Sequence, residues 1–583
     1  MSTDSVAAAA REASDPKAQQ RALAIVVAPL VATAFLVAFG ALHYGFYTRG
    51  LLMDTPIYER YGDAMVHGGR VPYSDFSVEY PPAALPVFAA PSLVASRGDF
   101  GRYREIFEAI MLLCGAGASA LAGVILVVQR ADRGRLIGGT LLAGLAPLAL
   151  GPVVLSRFDL WPAWLTIAGL AALVTGRRRL GCGVLGVAVA AKIYPGVVLP
   201  LALVYVYRQR GRREALVCAA TALAAIAVCV VPFTVLAPRG VWASLSGQAK
   251  RPLQIESLGA SLLLAAHQAW GRPLTVLSSH GSDNLIGPTP HLFAQLQGVL
   301  MPLAVVAIWI TFARGPADRD RLLRYAAGAV CAFIALGKVL SPQYLIWLIA
   351  LVPLVRGRRG LVASLLFLTS LVLTQLWFPT RYLDLAYGLA ARPSWLVLAR
   401  NLVLLALLAT LIWPSARGRR VGLSLVATLV AGAVAATVAA AAGLAAEGTL
   451  EHSGLLEESG APTSCAVQPP APVAGPGMVV YGTSGYASPS ASPRCVRVVV
   501  RAARHAQLFS AAYVNSLDPR DPTRSYLGDS GRCTNTVGEA GRSVAYSFRV
   551  AGRARFAVEV ERCSPGGTLP PYSVQVREGR MPR

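Results

Sequence analysis

Charged and polar side chains that could do chemistry lie at the turns between the long apolar runs of this sequence. The first of them, Asp54, follows the first apolar run in the stretch 51-LLMDTPIYERYG-62. Such residues are either ordinary polar residues at a helix end or groups that take part in a reaction. Ionisable groups at membrane depth usually have a function, because burying them is costly. The other candidates are Arg157, Asp159, Lys192, Tyr194, Glu256, Lys338, Gln343 and Tyr344. Several separate turns would thus bring acids and cations to one face and form a cleft.

The apolar runs that must position these residues are long enough to cross a membrane. Of the 583 residues, 55% are hydrophobic. Apolar runs of about 16–25 residues recur between Ala22 and Ala446, which predicts about twelve to fourteen crossings. The first run follows a polar stretch and has no clear cleavage site, so we expect it to be retained. The fold class expected is an all-α polytopic membrane protein with a small C-terminal all-β domain.

The net charge of +24 comes largely from arginines in short bursts between the apolar runs. Short basic loops mark the cytoplasmic side of a membrane, whereas nucleic-acid binding needs one continuous basic face. We therefore predict a multi-pass plasma-membrane protein that contacts membrane lipids and no nucleic acid, with residues 1–21 as a cytoplasmic tail. The bursts fall at 130–135, 177–179, 208–213, 314–324, 356–359 and 417–420.

Placing every burst inside gives one topology. Residues 45–102 stay outside provided that 81-PPAALPVFAAPSLVA-95, which contains four prolines, does not cross. A second outer loop covers 237–291, and two short helices meet on the outer side near 192-KIYP-195. The predicted crossings are 22–42, 103–128, 136–155, 160–175, the broken hairpin 180–207, 215–235, 292–313, 322–339, 343–355, 360–378, 395–413 and 421–446.

The C-terminal part differs in composition from the rest. A Pro/Gly/Ser-rich linker is predicted over 447–493, followed by a β-rich extracytoplasmic domain over 494–583 with alternating stretches at 495–500, 543–550 and 554–561. This domain resembles β-sandwich modules of secreted bacterial proteins, which implies either a spacer role or sugar or wall binding. Four cysteines suit two disulfides, with three pairings possible. They are Cys465, Cys495, Cys533 and Cys563.

Several catalytic signatures are absent from the sequence. There is no G-x-G-x-x-G or P-loop ahead of a helix, no G-x-S-x-G elbow and no H-E-x-x-H pattern. An outward-facing enzyme without a nucleotide domain must use a substrate already carried across the membrane, and a lipid phosphate held by lysine or arginine fits. We expect no cofactor and no metal, because Asp63, Asp75 and Glu79 are more typical of solvated loop residues than of cation ligands.

Five ordered motifs resemble glycosyltransferase family 87. They are 54-DTPIYERYGDAMVHGGRVPYSDFSVEYPP-82, 157-RFDLWPAWLTIAGLAAL-173, 187-VAVAAKIYPGVVLPLAL-203, 254-QIESLGASLL-263 and 337-GKVLSPQYLIWLIALVPL-354. The resemblance covers about 22–414 within a predicted membrane domain of 22–446. It implies the GT-C membrane fold and an enzyme of the bacterial plasma membrane that moves a hexose from a polyprenyl-phosphate-linked sugar donor to an envelope glycolipid or glycan acceptor. The family includes mannosyltransferases, so mannose is the sugar expected.

The resemblance also implies roles for individual residues. Asp54 would be the general base that deprotonates the acceptor hydroxyl, although an aspartate before Thr55-Pro56 also suits the cap of an interfacial helix, which is predicted over Thr55–Val66. Lys192 and Lys338 would neutralise the donor phosphate, or else extend from helix ends to lipid headgroups.

The remaining candidates would complete a donor site. Arg157 and Asp159 could hold phosphate and sugar, or pair with each other at a helix start. Glu256 and Gln343 suit sugar hydroxyls, or could satisfy loop backbone. Tyr194 and Tyr344 are placed with the donor site, although tyrosines at such turns also form interfacial belts.

Two other classes of protein fit part of the pattern. A lipid or sugar transporter also has many spans and buried charges, but it should show internal repeats and charges at mid-membrane. A scaffold that presents the C-terminal domain explains that domain but not the lysines and aspartates. Within the enzymes, an arabinofuranosyl- or glucosyl-transferase of the same fold is a near neighbour.

Overall fold

In the computed structural model, the residues that can be described are 16–47, 53–386, 388–413 and seven strands between Tyr481 and Gly579. The chain divides into two compact units: Met1–Thr380 with Ala391–Ala440, and Arg381–Ala390 with Ala441–Arg583. The predicted crossing at 421–446 and the cysteines Cys465, Cys533 and Cys563 lie outside the described residues.

The first unit is helical. Its helices are α1 (Pro16–His43), α2 (Thr55–Val66), α3 (Leu85–Ser92), α4 (Phe100–Val128), α5 (Arg133–Leu150), α6 (Leu160–Val174), α7 (Arg178–Ala191), α8 (Leu199–Leu236), α9 (Pro238–Lys250), α10 (Leu258–Trp270), α11 (Pro288–Ala313), α12 (Arg319–Leu336), α13 (Ile346–Ile349) and α14 (Gly357–Gln375). The short helix α15 (Tyr382–Ala386) belongs to the second unit, and α16 (Ala391–Ile412) returns to the first.

Six helical segments among the described residues are long and apolar enough to cross a membrane. They are Ala18–His43, Phe100–Val128, Tyr194–Leu236, Pro288–Ala313, Gly357–Gln375 and Ala391–Ile412. This confirms the fold class of a helical membrane protein. The number is lower than the twelve to fourteen predicted crossings because several predicted spans form shorter helices, such as α6 with 15 residues, or helices with arginine in the first turn, such as α12.

The segment after α1 behaves as the sequence predicts. Helix α2 covers Thr55–Val66, the bounds expected for an interfacial helix, and α3 has only 8 residues, too few to span a bilayer. Gly62 lets α2 approach α3 closely, since a Cβ atom there would come within 2.3 Å of the Phe88 carbonyl oxygen. The first predicted outer segment therefore contains two short packed helices.

The broken hairpin is also present. Helix α7 ends at Ala191, Lys192 is extended, and a 3-10 turn over Tyr194–Val197 leads into α8. Helix α8 is interrupted at Gly211, whose φ of 83° lies in the region that favours glycine. This interruption separates the end of the predicted hairpin from the predicted crossing at 215–235.

The basic turns meet at one end of the first unit. Gln129 and Arg356 both bind the Asp320 carboxylate, at 2.8 and 2.7 Å, and Arg356 also donates to the Arg130 carbonyl. Arg135 donates to the Val352 carbonyl at 2.9 Å. The turns that carry the predicted site residues make a separate set of contacts, described below.

The second predicted outer loop contains a small antiparallel sheet. Strand β3 (Ser282–Ile286) lies between β1 (Leu253–Gln254) and β2 (Thr275–Ser279). Because β1 leads directly into the Glu256 turn and α10, this sheet fixes the position of that turn.

The second unit contains two antiparallel sheets. One has the order β10 (Tyr572–Gly579), β5 (Arg494–Ala502), β8 (Ser543–Val550), and the other β4 (Tyr481–Ala487), β9 (Arg555–Arg562), β6 (Leu508–Val514), β7 (Tyr526–Asp529). Alternate residues of β5, Val496, Val498 and Val500, are buried in a shared core, whereas Arg497 is exposed. The period-two pattern read from the sequence is thereby explained.

Two details of this unit refine the sequence predictions. Strand β4 lies inside the stretch predicted as linker and pairs with β9. The sequence of β4 is rich in Gly and Ser, and this composition is the reason for the linker prediction. Cys495 is buried and disulfide-bonded.

Candidate active site

The Asp54 carboxylate forms an ion pair with the Arg157 guanidinium and accepts a 3.4 Å hydrogen bond from the Tyr58 hydroxyl. Asp54 occupies the N-cap position of α2, but its side chain makes no hydrogen bond to the first turn of that helix. The alternative role as a helix cap is therefore wrong for the carboxylate. Pro56 removes one backbone N–H from the first turn, so α2 begins without a side-chain cap.

Arg157 belongs to the turn 156-SRFD-159, which links α5 to α6. Helix α5 ends at Gly151 with a φ of 85°, and a 3-10 turn over Pro152–Val154 follows. Thr55 donates to the Ser156 carbonyl at 3.4 Å and so ties the start of α2 to this turn. The Arg157 side chain is 7% exposed and that of Asp54 is 23% exposed, which leaves the carboxylate open to solvent on one side.

Asp159 pairs with Lys192 and not with Arg157, so the predicted alternative of an Arg157–Asp159 pair is wrong. One carboxylate oxygen, Oδ1, accepts from the Lys192 ammonium group and from the Trp347 indole N–H, both at 2.6 Å. The other oxygen, Oδ2, is buried without a hydrogen-bond partner among the described residues. Although Asp159 precedes α6, it does not cap that helix. Its carboxylate instead holds the Lys192 ammonium group and the Trp347 indole together.

Aromatic rings surround the Lys192 ammonium group. It lies 4.6 Å from the centre of the Phe158 ring, 5.2 Å from that of Trp347 and 5.5 Å from that of Tyr344. Burial lowers the pKa of Lys192, while the Asp159 carboxylate opposes this shift. Cation–π contacts and the ion pair together retain a partly buried positive charge at this position.

The two predicted tyrosines build the wall behind Lys192. Tyr194 is buried, stacks on Trp347 with ring centres 4.0 Å apart, and its hydroxyl bonds to Thr166 at 3.2 Å. Tyr344 also stacks on Trp347, at 4.3 Å. Tyr194 therefore shapes the wall from behind and forms no part of an exposed aromatic belt.

Three further cations or amides lie at the edge of this wall. Lys338 donates to the Ala249 carbonyl at 2.8 Å, and burial, followed by the nearby Arg251 charge, lowers its pKa. Arg251 also contributes to the lowered pKa of Lys192, so these cations are electrostatically close. Gln343 accepts a hydrogen bond from the Ser341 hydroxyl within its own turn.

Arg251 is a further cation near Lys192 and Lys338 that is not among the candidates predicted from the sequence. Its guanidinium donates to the Ser282 hydroxyl at 2.8 Å and to Gln248 Oε1 at 3.2 Å, which fixes it between α9 and β3. The signal was present, because Lys250 and Arg251 are basic residues in a loop predicted to lie outside, where such residues are uncommon.

Glu256 is 1% exposed at the turn between β1 and α10. Its Oε2 accepts from Gln254 Nε2 at 2.8 Å, and its Oε1 is buried with no hydrogen-bond partner among the described residues. Burial raises the pKa of Glu256 to about 8, an effect that the nearby Arg400 charge opposes. Its carbonyl accepts from Arg400 and Asn401, whereas the hydrogen bond of its carboxyl group goes to the Gln254 side chain and not to loop backbone.

The acids considered for a cation site are held separately. Asp63 accepts from the Ser92 hydroxyl and from the Gly98 N–H, both at 2.9 Å, and so joins α2 to the start of α4. Asp63 is thus a structural residue, and the expectation that it is a solvated loop residue is wrong. Among the described residues, no group of three or more His, Cys, Asp or Glu side chains could hold a metal ion.

Comparison with known proteins relates part of the first unit to a family. The sequence model of glycosyltransferase family 87 matches residues 78–342, a little under half of the chain. This region is similar to glycosyltransferase family 87. With the apolar helices, the match identifies a multi-pass membrane glycosyltransferase and confirms the resemblance seen in the motifs. Arg157, Asp159, Lys192, Glu256 and Lys338 lie inside the family 87 region, whereas Asp54 precedes it.

Other comparisons add little. Among solved structures, the arabinosyltransferase EmbB from Mycobacterium smegmatis matches with 12% identity and a TM-score of 0.29, over 95% of this chain and 64% of that one. The chain thus spans less than two thirds of that protein. No curated protein matches the chain.

Proposed function

We propose that the chain transfers a hexose, mannose in the first instance, from a polyprenyl-phosphate-linked donor to an envelope glycolipid or glycan at the outer face of the plasma membrane. One observation carries the proposal: the Asp54 carboxylate contacts Arg157 instead of capping α2. Asp54, a potential base, and Arg157, a potential phosphate ligand, are therefore in direct contact.

In the proposed reaction, the bond between the anomeric carbon and the donor phosphate oxygen breaks, and its electron pair leaves with polyprenyl phosphate. The acceptor oxygen forms the new bond to the anomeric carbon, and its proton passes to the Asp54 carboxylate. The transition state resembles an oxocarbenium ion, so charge develops on the departing phosphate. Positive groups fixed near that phosphate stabilise the charge.

Lys192, Arg251 and Lys338 are the cations proposed to neutralise that charge, with Arg157 between them and Asp54. Hydrogen bonds within the protein hold these side chains in place before the donor binds. Lys192 bonds to Asp159, Arg251 to Ser282 and Lys338 to the Ala249 carbonyl. Fixed cations stabilise a transition state more than mobile ones, because no reorganisation is needed during the reaction. The buried carboxyl group of Glu256 is proposed to bind a sugar hydroxyl.

The proposal is tested in washed membranes that contain or lack the protein. Radiolabelled polyprenyl-phosphate-mannose should yield a labelled acceptor only when the protein is present, and Asp54→Asn should abolish most of this product. GDP- or UDP-sugars should give none once synthesis of the lipid-linked sugar is blocked. Donors carrying arabinofuranose or glucose, tested in parallel, identify the sugar.

The same assay separates the enzyme from a transporter. A transporter would move the labelled lipid between leaflets without a new glycosidic bond, so label would remain extractable as polyprenyl-phosphate-mannose. Direct transfer from a nucleotide sugar would contradict the proposed donor.

A further inference from the structure

Arg400 is a fully buried arginine in the middle of α16, a helix long and apolar enough to span the membrane. Its guanidinium lies 5.9 Å from the Trp377 ring centre, and Nη2 donates to the Glu256 carbonyl at 2.9 Å. A buried cation in an apolar helix is costly and is kept where it has a function. Arg400 lies beyond the region matched by the family model, which ends at residue 342.

The next residue of α16 contacts the same turn. Asn401 donates to the Glu256 carbonyl at 3.2 Å and to the Ser261 hydroxyl at 3.0 Å. Two neighbouring side chains of one spanning helix therefore hold the main chain of Glu256, and one of them also holds the first turn of α10. A single carbonyl oxygen can accept both bonds because it has two lone pairs.

Other parts of the protein hold the flanking residues of this turn. The Gln254 N–H donates to the Lys338 carbonyl at 3.0 Å, and the Ile255 N–H donates to the Asp283 carbonyl at 3.1 Å. Within the described part of the chain, the carbonyl of Glu256 itself is held by α16 alone. The orientation of Glu256 thus depends on Arg400 and Asn401.

Several charged or titratable groups face the Glu256 carboxyl group. The Arg400 and Arg157 cations favour its ionised form, the Asp283 carboxylate disfavours it, and Tyr344 is close enough to be affected by it. Because Arg157 also contacts Asp54, the Glu256 turn is electrostatically connected to the candidate base. A change in the position of this turn would therefore alter the electrostatic environment of Arg157 and Asp54.

We propose that Arg400 is a positioning residue of the transfer reaction, which acts with Asn401 to hold the Glu256 carboxyl group toward the donor sugar. The inference rests on the proposed function. It predicts that Arg400 acts through Glu256, so its effect on the reaction disappears when the Glu256 carboxyl group is absent.

The test is a double-mutant cycle with a matched control. Arg400→Gln and Glu256→Ala are each expected to lower kcat/KM for the lipid-linked donor by about 10- to 100-fold, the size expected for a displaced positioning group. The double variant should be no slower than the slower single variant, because both substitutions remove the same interaction. Arg400→Lys, which keeps a donor and the charge, should restore part of the activity.

Arg135 provides the control. It is also a buried arginine that donates to main-chain carbonyls, at Val352 and Gly360, but it does so at the end where the basic turns meet. Arg135→Gln should lower the melting temperature without lowering kcat/KM of the folded enzyme, and it should combine additively with Glu256→Ala.

The outcomes are distinct. Wild-type protein without transfer activity overturns the proposed function, and with it the role given to Arg400. Wild-type transfer with normal kcat/KM in Arg400→Gln, or with additive effects of Arg400→Gln and Glu256→Ala, overturns the inference alone. If Arg400→Gln does not fold, Asn401→Ala removes the other donor to the Glu256 carbonyl and is tested in the same cycle with the same criteria.

Discussion

The Asp54 carboxylate pairs with the guanidinium of Arg157, which lies 103 positions further along the chain, and it accepts no capping hydrogen bond from the N–H groups of the first turn of α2. The aspartate therefore joins the start of α2 to the turn before α6. Its role in maintaining the helix is limited to its main chain, whose carbonyl accepts from the Ile57 and Tyr58 N–H groups.

Asp54→Asn should lower transfer by about 10²-fold, the usual loss for a general base. It also removes the ion pair with Arg157, so the folded fraction is measured by size-exclusion chromatography before rates are compared. Glu105→Gln is the control, because that carboxylate is 57% exposed on α4 and pairs only with Arg102 in the described part of the chain. Asp63→Asn is unsuitable as a control, since Asp63 joins α2 to Ser92 and Gly98. Near-normal transfer by folded Asp54→Asn would exclude Asp54 as the base.

Lys192→Gln should lower kcat/KM for the donor more than Lys338→Gln does. Lys192 lies between Asp159 and three aromatic rings with 14% of its side chain exposed, so its charge is poorly screened. Lys338 lies at the edge and contacts a main-chain carbonyl. Steady-state kinetics at several ionic strengths distinguish the two, and equal losses would argue against a special role for Lys192.

Trp347→Phe should lower transfer by about 10-fold. The substitution keeps an aromatic ring next to Tyr194 and Tyr344 but removes the N–H that bonds to Asp159, and a buried hydrogen bond to a charged group is worth about 1.5–3 kcal/mol. Trp309→Phe is the matched control, because its indole donates to the Val197 carbonyl at 2.8 Å. Both variants should lose stability, and equal losses of activity would show that the indole N–H at Asp159 is not specifically required.

Glu256 should make the protein less stable as pH rises. The pKa of its carboxyl group is raised from 4.5 to about 8 in the folded state. Between these values the folded protein holds a proton that the unfolded chain has lost, so the free energy of unfolding falls with rising pH, by at most about 1 kcal/mol per pH unit. Below pH 4.5 both states are protonated, and this contribution is fully present.

Glu256→Gln isolates this effect, because the amide does not titrate. Thermal unfolding in detergent should show the wild type losing stability relative to Glu256→Gln from about pH 5 to pH 8. A difference that stayed constant would mean that folding does not shift this pKa, and a difference that rose with pH would mean that the folded state favours the ionised carboxylate through Arg400.

Labelling of single introduced cysteines can show on which side of the membrane a segment lies. Ser77→Cys lies in the exposed segment after α2 and should react with a membrane-impermeant maleimide added to intact cells. Arg177→Cys, exposed in the turn before α7, should react only after permeabilisation. Reaction of Arg177→Cys in intact cells would invert the topology derived from the arginine bursts.

The sequence alone predicts the elements whose signals are local. Helix α2 has the predicted bounds because a Thr-Pro start and an amphipathic pattern define it, and β5 and β8 follow from alternation. The family is predicted because its motifs are short stretches in a fixed order. The candidate turns are predicted because charged residues between apolar runs are conspicuous.

The tertiary structure decided which of these residues meet. Arg157 and Asp159 are two positions apart, and their side chains leave the turn toward different partners, Asp54 and Lys192. Trp347 and Arg400 are single residues within apolar stretches, where nothing in the local pattern separates a site residue from a packing residue. Their roles depend on hydrogen bonds to groups 188 and 144 positions away. Such contacts are set by how helices pack, and helix packing is a property of the whole fold, which no local sequence pattern specifies.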